Sequence, residues 1–302
     1  MKRLFVLLVV LGGLAAVVAW WATAPRLLSA GQIAAMPVGD AVAGERLFWA
    51  GGCASCHAAP EPGADKKLLS GGHAFKTDFG TFYAPNISPH PDHGLGKWTL
   101  AGFSNAMKAG VSPEGQHYYP AFPYTYYQNM LDSDVAHLWA YMRTLPVSDV
   151  PNRPHDIGFP FNIRRGLGVW KTLYMQPKDI KLLPDQISKG EYLVEALAHC
   201  GACHTPRDAL GGPDKTRAMA GAVAPDGKGN IPNITSHADG INAWSQSDLA
   251  ESLATGFTPE FDSFGSTMAD VAENTARLTD EDRQAIAAYI KSLPPVASTP
   301  RP

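Results

Sequence analysis

Cysteine is scarce in this chain: there are four in 302 residues, all of them in two short motifs, so none is left over for a disulfide framework. Basic runs are also lacking. Lysine and arginine total 25 against 28 acidic residues, a net charge of −3, and nothing in that distribution suggests a nucleic-acid partner. There is no phosphate-cradling glycine loop, no pair of carboxylates and no Ser/His/Asp grouping, so these routes to catalysis have no support in the residues. Strand patterns are few as well, and long Gly/Pro-rich stretches separate the segments with a helical period.

What is present is concentrated in the cysteines. Cys53-Ala-Ser-Cys56-His57 and Cys200-Gly-Ala-Cys203-His204 share the CxxCH pattern, which is the attachment signature of c-type haem. The two thiols form thioethers to the haem vinyl groups, and the adjacent histidine can bind iron from the proximal side. A zinc ribbon usually separates its CxxC pairs by about 15–20 residues; here residues 57–199 intervene. A thioredoxin-like CxxC needs a strand-helix-strand setting that neither segment has. Two covalent haems are therefore expected, held by Cys53, Cys56, His57, Cys200, Cys203 and His204.

Residues 4–22 carry no charge and follow Lys2-Arg3. They read as a membrane anchor or as the apolar part of a secretory signal. About twenty residues span the hydrocarbon core, with Trp20 and Trp21 at the far interface. Ala22-Thr-Ala24 resembles a cleavage site, although Pro25 should hinder it; a later site after Ala30 is the other candidate. On either reading the remainder is exported, to the periplasmic face of a bacterial inner membrane or to the periplasm. That is where c-type haem is attached.

The chain repeats itself at an offset of about 147 residues. Pro85-Asn86-Ile87-Ser88 returns as Pro232-Asn233-Ile234-Thr235, Trp98 as Trp244, and Gly110 as Gly256. The segments from Asp132 to Pro146 and from Asp280 to Pro294 share Asp-x-Asp, Ala-Tyr and a final Pro. Each copy predicts an opening helix near Gly44 or Gly190, a middle helix capped by Thr99 or Ser245, and a closing helix from Asp132 or Asp280. The expected organisation is a signal or anchor over 1–30, one domain over 38–146, a connector over 147–187 and a second domain over 188–295. The connector holds Pro151, Pro154, Pro160, Pro177 and Pro184, which stiffen it. Its apolar middle, around Phe159–Ile163 and Val169–Tyr174, suggests packing across both copies, or else a docking patch.

Taken together, an opening helix with glycine and an aromatic, CxxCH, a late methionine and a closing helix with Ala-Tyr resemble class I cytochromes c. The PNI[ST] segments and His117-Tyr-Tyr-Pro-Ala-Phe-Pro-Tyr124 are similar to diheme membrane-bound cytochromes c, the kind that serve periplasmic alcohol, aldehyde and sugar dehydrogenases. The resemblance implies an all-α fold of two tandem cytochrome c domains with an N-terminal hydrophobic helix. It also implies electron transfer from an outer-face dehydrogenase to another cytochrome or a terminal oxidase. The triheme subunits of that group carry a third CxxCH, which this chain lacks.

The resemblance further implies a methionine opposite the proximal histidine, late in each copy. Met268 fits that place in the second copy. In the first, aligning Gly110 with Gly256 sets Phe122 opposite Met268, where the related subunits have methionine. Phenylalanine cannot bind iron, so the first haem takes another ligand or is left five-coordinate. His117, five residues earlier, is the candidate metal ligand there; an ordinary hydrogen-bonded histidine is the alternative. An open first site would suit a peroxidase or oxidase, the second functional reading. Trp98, Trp244, Asn86 and Asn233 either border the haems, where they could bond the propionates, or fill the cores. The two Asn-Ile-Ser/Thr sequences match a glycosylation pattern of little meaning in a bacterial-looking exported protein.

Overall fold

The computed structural model describes residues 1–61, 63–227 and 229–298. α1 (Lys2–Ala22) is a single 21-residue helix with no buried residue, projecting from the rest of the molecule. An 18-residue window within it has a mean hydropathy of 2.5. At 1.5 Å per residue its length matches the ~30 Å hydrocarbon core. A short α2 (Ala30–Ala35), capped by Ser29, leads into the first repeat.

In that repeat α3 (Ala41–Ala50) starts at the Asp40 cap, and α4 (Cys53–His57) is the first CxxCH motif itself. A hairpin follows, β1 (Ala74–Thr77) against β2 (Gly80–Tyr83). α5 (Leu100–Ser104) begins where Thr99 accepts from the Gly102 N–H, then widens into a π-helical turn over Asn105–Ala109. α6 (Tyr124–Tyr127) is one turn, and α7 (Asp132–Met142) closes the repeat with two acids in its first turn, facing the positive end of the helix dipole.

The intervening segment supplies β3 (Asp156–Ile157), which pairs with β2, and α8 (Leu167–Tyr174). Its contacts reach both repeats: Lys171 donates to the Ala109 and Gly110 carbonyls, while the Trp170 indole N–H donates to Leu210 O and Lys178 reaches Glu195 and Tyr289.

The second repeat holds α9 (Gln186–Tyr192), continued by a π-helical turn, then α10 (Gly201–His204) with the second motif. A two-residue ribbon, β4 (Ala222–Val223) with β5 (Asn230–Ile231), precedes α11 (Gln246–Thr255), whose Ser245–Asp248 capping box satisfies two orphan N–H groups. α12 (Thr267–Thr275) and α13 (Asp280–Ser292) complete it. The architecture is mainly helical, with the short strands as additions that the scarce strand patterning did not foretell.

One glycine in each repeat sets how the opening and closing helices cross. A Cβ on Gly44 would overlap the His137 carbonyl of α7, and one on Gly190 would overlap the Ala285 carbonyl of α13. Only glycine lets the backbones approach this closely. The crossings bury Phe48, Leu138 and Tyr141 in one repeat and Val194, Ile286 and Tyr289 in the other.

Candidate haem sites

The histidine of each motif is oriented by a proline carbonyl. His57 Nδ1 lies 2.8 Å from Pro85 O, and His204 Nδ1 lies 2.8 Å from Pro232 O. A carbonyl only accepts, so each Nδ1 carries the proton and each Nε2 keeps a free lone pair. Burial lowers both histidines below their ordinary value, which favours the neutral imidazole that a metal requires. These are the prolines of the repeated PNI[ST] segment, so that segment orients each motif histidine from a distance in sequence.

The asparagines of the same segment do different work. Asn86 Nδ2 donates to Ser148 O at 2.9 Å and Val150 O at 2.8 Å, and its Oδ1 accepts from Ser88 N. Asn233 Nδ2 donates to Val296 O at 2.7 Å, and its Oδ1 accepts from Thr235 N. Both are buried with their donors committed, pinning the chain that leaves each closing helix. Trp98 and Trp244 are half-buried against the core.

None of the four cysteines forms a disulfide. Burial pushes Cys53, Cys56 and Cys200 up to about 12, and Cys203 is also raised. A raised thiol does not favour the thiolate that redox exchange needs. Among the described residues no three His, Cys, Asp or Glu side chains cluster as a metal site. The fit is to a covalent haem, with Cys53 and Cys56, or Cys200 and Cys203, as thioether sites, and His57 or His204 as the iron ligand.

The loop opposite each motif repeats in register. Val111 bridges His117 and Phe257 bridges Ser263, while Tyr118 N donates to Gly110 O and Phe264 N donates to Gly256 O. Counting four residues on from Tyr118 and Phe264 gives Phe122 and Met268, so the backbone supports the sequence alignment of these two positions. Met268 lies in the first turn of α12, partly buried against the core. Phe122 packs among Tyr118, Tyr124 and Tyr127.

His117 stands elsewhere. It is buried, its Nε2 lies 3.0 Å from Thr23 O at the end of α1, and its own carbonyl accepts from Arg164. With Nε2 engaged there, Nδ1 is the buried ring nitrogen left without a partner among the described residues. Lys108 and Asp132 are paired with each other.

The two motifs lie close to each other. Burial is the main cause of the raised Cys56, and the nearby Cys203 thiol adds to it. Tyr127 Oη donates to Gly51 O at 2.9 Å, two residues before Cys53. His199, directly before Cys200 and held at φ +43°, sets its ring against both Tyr126 and Tyr127. Burial takes His199 down to about 4, so it is uncharged at neutral pH. Sequence reasoning alone does not find this pair; a histidine abutting a CxxCH and the tyrosine-rich α6 are its only signals.

The cytochrome c family model matches residues 41–146 and again 187–294. The chain belongs to the cytochrome c family. It carries two c-type haems, as the two matched segments and a diheme relative agree. That relative, a diheme cytochrome c-type protein of Cereibacter sphaeroides, is 53% identical over 91% of this chain and 93% of its own length. The fructose dehydrogenase cytochrome subunit of Gluconobacter japonicus is 39% identical over 85% of the chain. The cytochrome c subunit of a quinone-type alcohol dehydrogenase from Gluconacetobacter polyoxogenes is 36% identical over 91%. This cytochrome spans 53% and 61% of the length of those two subunits.

Proposed function

We propose that this cytochrome c takes electrons from a dehydrogenase at the periplasmic face of a bacterial inner membrane and delivers them to a further cytochrome or a terminal oxidase. The observation that carries the reading is the adjacency of the two haem motifs across Tyr127 and His199, which suits a relay. The dehydrogenase cytochrome subunits among its relatives support a donor of that class. When bound, each haem supplies a one-electron couple. The chain's part is to hold the proton on His57 Nδ1 and His204 Nδ1 through Pro85 and Pro232, and to exclude water with Phe122, Tyr124 and Tyr127.

In this reading His57 and His204 bind iron, Met268 is the second ligand of the second haem, and Phe122 leaves the first haem without a sulfur donor. A Met/His pair raises the potential, so the first haem is the lower of the two and electrons run toward Met268. His117, whose buried Nδ1 has no partner among the described residues while Nε2 is held by Thr23, remains the candidate second ligand of the first haem. Substituting Phe122→Met tests the assignment. The expected result is a second iron–thioether absorption band and a rise in the lower potential, with Met268→Leu abolishing the other band. No change in either potential would overturn it.

Phe122 also favours a second reading, a peroxidase or oxidase with an open first site. Rapid carbon monoxide binding to one reduced haem, with peroxide turnover, supports the enzyme. No such binding, with fast reoxidation of the reduced protein by horse-heart cytochrome c, supports the relay.

A further inference from the structure

We propose that the stretch from Phe159 to Val169 is a lipid-facing seat that sets this cytochrome on the phospholipid bilayer, and that α1 is retained as its anchor. The proposal rests on reading α1 as a membrane span. The outer end of α1 is built into the fold. The Arg165 guanidinium stacks 4.0 Å over the Trp20 ring, donates to Trp20 O, and lies 3.2 Å from Thr23 Oγ1. His117 bonds Thr23 O at 3.0 Å, and Gly168 of α8 presses so closely on Thr23 that no Cβ fits. Past the helix, Leu28 N donates to Asn105 Oδ1 at 2.8 Å. The bonds to Trp20 O and Thr23 O satisfy carbonyls that the end of a helix leaves without partners. The contacts lie on both sides of Ala24: cleavage there would strip Trp20 and Thr23 from Arg165 and His117, and cleavage after Ala30 would also strip Leu28 from Asn105.

The same segment exposes apolar side chains. Phe159 is 80% exposed, Phe161 46%, Ile163 53% and Val169 54%. They are held in place, since Tyr119 Oη donates to Phe161 O at 3.1 Å and Arg164 stacks 4.6 Å over Tyr119. Arg165 reaches back along α1 to Trp20, so this patch sits at the level where the span leaves the hydrocarbon. Aromatic rings and arginines at that level form the interfacial belt of membrane proteins, with the guanidinium near phosphate and the rings among the headgroups. Continuity with α1 and the two arginines favour an anionic lipid surface over a protein as the occupant.

The test uses the full-length protein with both haems, reconstituted into phosphatidylglycerol/phosphatidylethanolamine vesicles containing a phospholipid with a photoactivatable group near the glycerol. Intact mass should include residues 1–24, and crosslinks should map to α1 and to residues 158–170. The triple substitution Phe159→Ser, Phe161→Ser, Ile163→Ser should lower labelling of 158–170 about ten-fold, leaving α1 labelling and two haems per chain unchanged. A mature protein lacking residues 1–24 or 1–30 overturns the anchor reading and the seat with it. A complete chain labelled only in α1 overturns the seat alone. So does a connector that is shielded in native membranes yet unlabelled in vesicles, which would mark a protein occupant.

Discussion

Tyr127 and His199 meet edge to face, their ring centroids 5.5 Å apart at an interplanar angle of 79°, and so join the two haem-binding motifs through one contact. Tyr127 belongs to the first repeat and caps Gly51 O; His199 opens the second motif. Removing the hydroxyl with Tyr127→Phe leaves the ring contact and frees a buried carbonyl. The expected cost is about 1 kcal/mol in urea unfolding of the holoprotein, with both midpoint potentials displaced. A shift of the first potential only would show that the contact does not couple the motifs.

Arg46 and Asp282 form a second link between the repeats, at 2.5 and 2.8 Å, with Lys189 2.9 Å from the same carboxylate. The Asp282 side chain is fully buried. Burial works against its charge, but the bonds from Arg46 and Lys189 outweigh it and hold the carboxyl below its ordinary 3.8. A depressed folded value means that the unfolded chain binds the proton more readily, so the stabilisation is complete above the unfolded range near pH 4. It is lost as pH falls through the folded value. Asp282→Ala should cost about 3 kcal/mol at pH 7 and flatten the acid limb of the stability–pH curve. Arg46→Ala should cost less, because Lys189 remains.

The helix crossings give a sharper steric test. Gly44→Ala and Gly190→Ala each force a methyl into a facing carbonyl, for a loss of about 3 kcal/mol. A methyl on Gly31 in α2 would meet nothing within 4 Å, and Gly31→Ala should be neutral or gain up to about 1 kcal/mol. Thermal unfolding of the three variants side by side measures the contrast, and equal midpoints for all three would overturn the steric account of the crossings.

Asn233 separates two roles that its motif allows. If it pins the chain after α13, Asn233→Ala should lose about 2 kcal/mol from its buried bonds while the second haem keeps its potential. A large potential shift without destabilisation would instead mean that the side chain acts on the haem.

Much of this is legible in the sequence because covalent chemistry and backbone sterics leave local signatures. CxxCH names the cofactor, Thr99 and Ser245 mark helix starts by their caps, and the spacing from Gly110 and Gly256 sets Phe122 against Met268. The contacts between repeats leave no such signature. Tyr127–His199 and Arg46–Asp282 join residues far apart in sequence, and nothing local in either partner announces the other. The PNI[ST] segment draws the eye to the wrong atoms, because sequence displays the Asn side chain and hides the Pro85 and Pro232 carbonyls. His117 stands out for its donor, but the end of α1, which supplies its partner at Thr23, cannot be placed from periodicity.

Ser55 lies inside the first CxxCH, between Cys53 and Cys56, and accepts a hydrogen bond from Asn274 at the far end of the helix that begins beside Met268. Closing the joint between the repeats therefore folds α12 over the turn that presents the first pair of thiols. A single helix, α12, thus carries Met268 at one end and holds the first motif at the other, which gives each site a direct mechanical route to its neighbour.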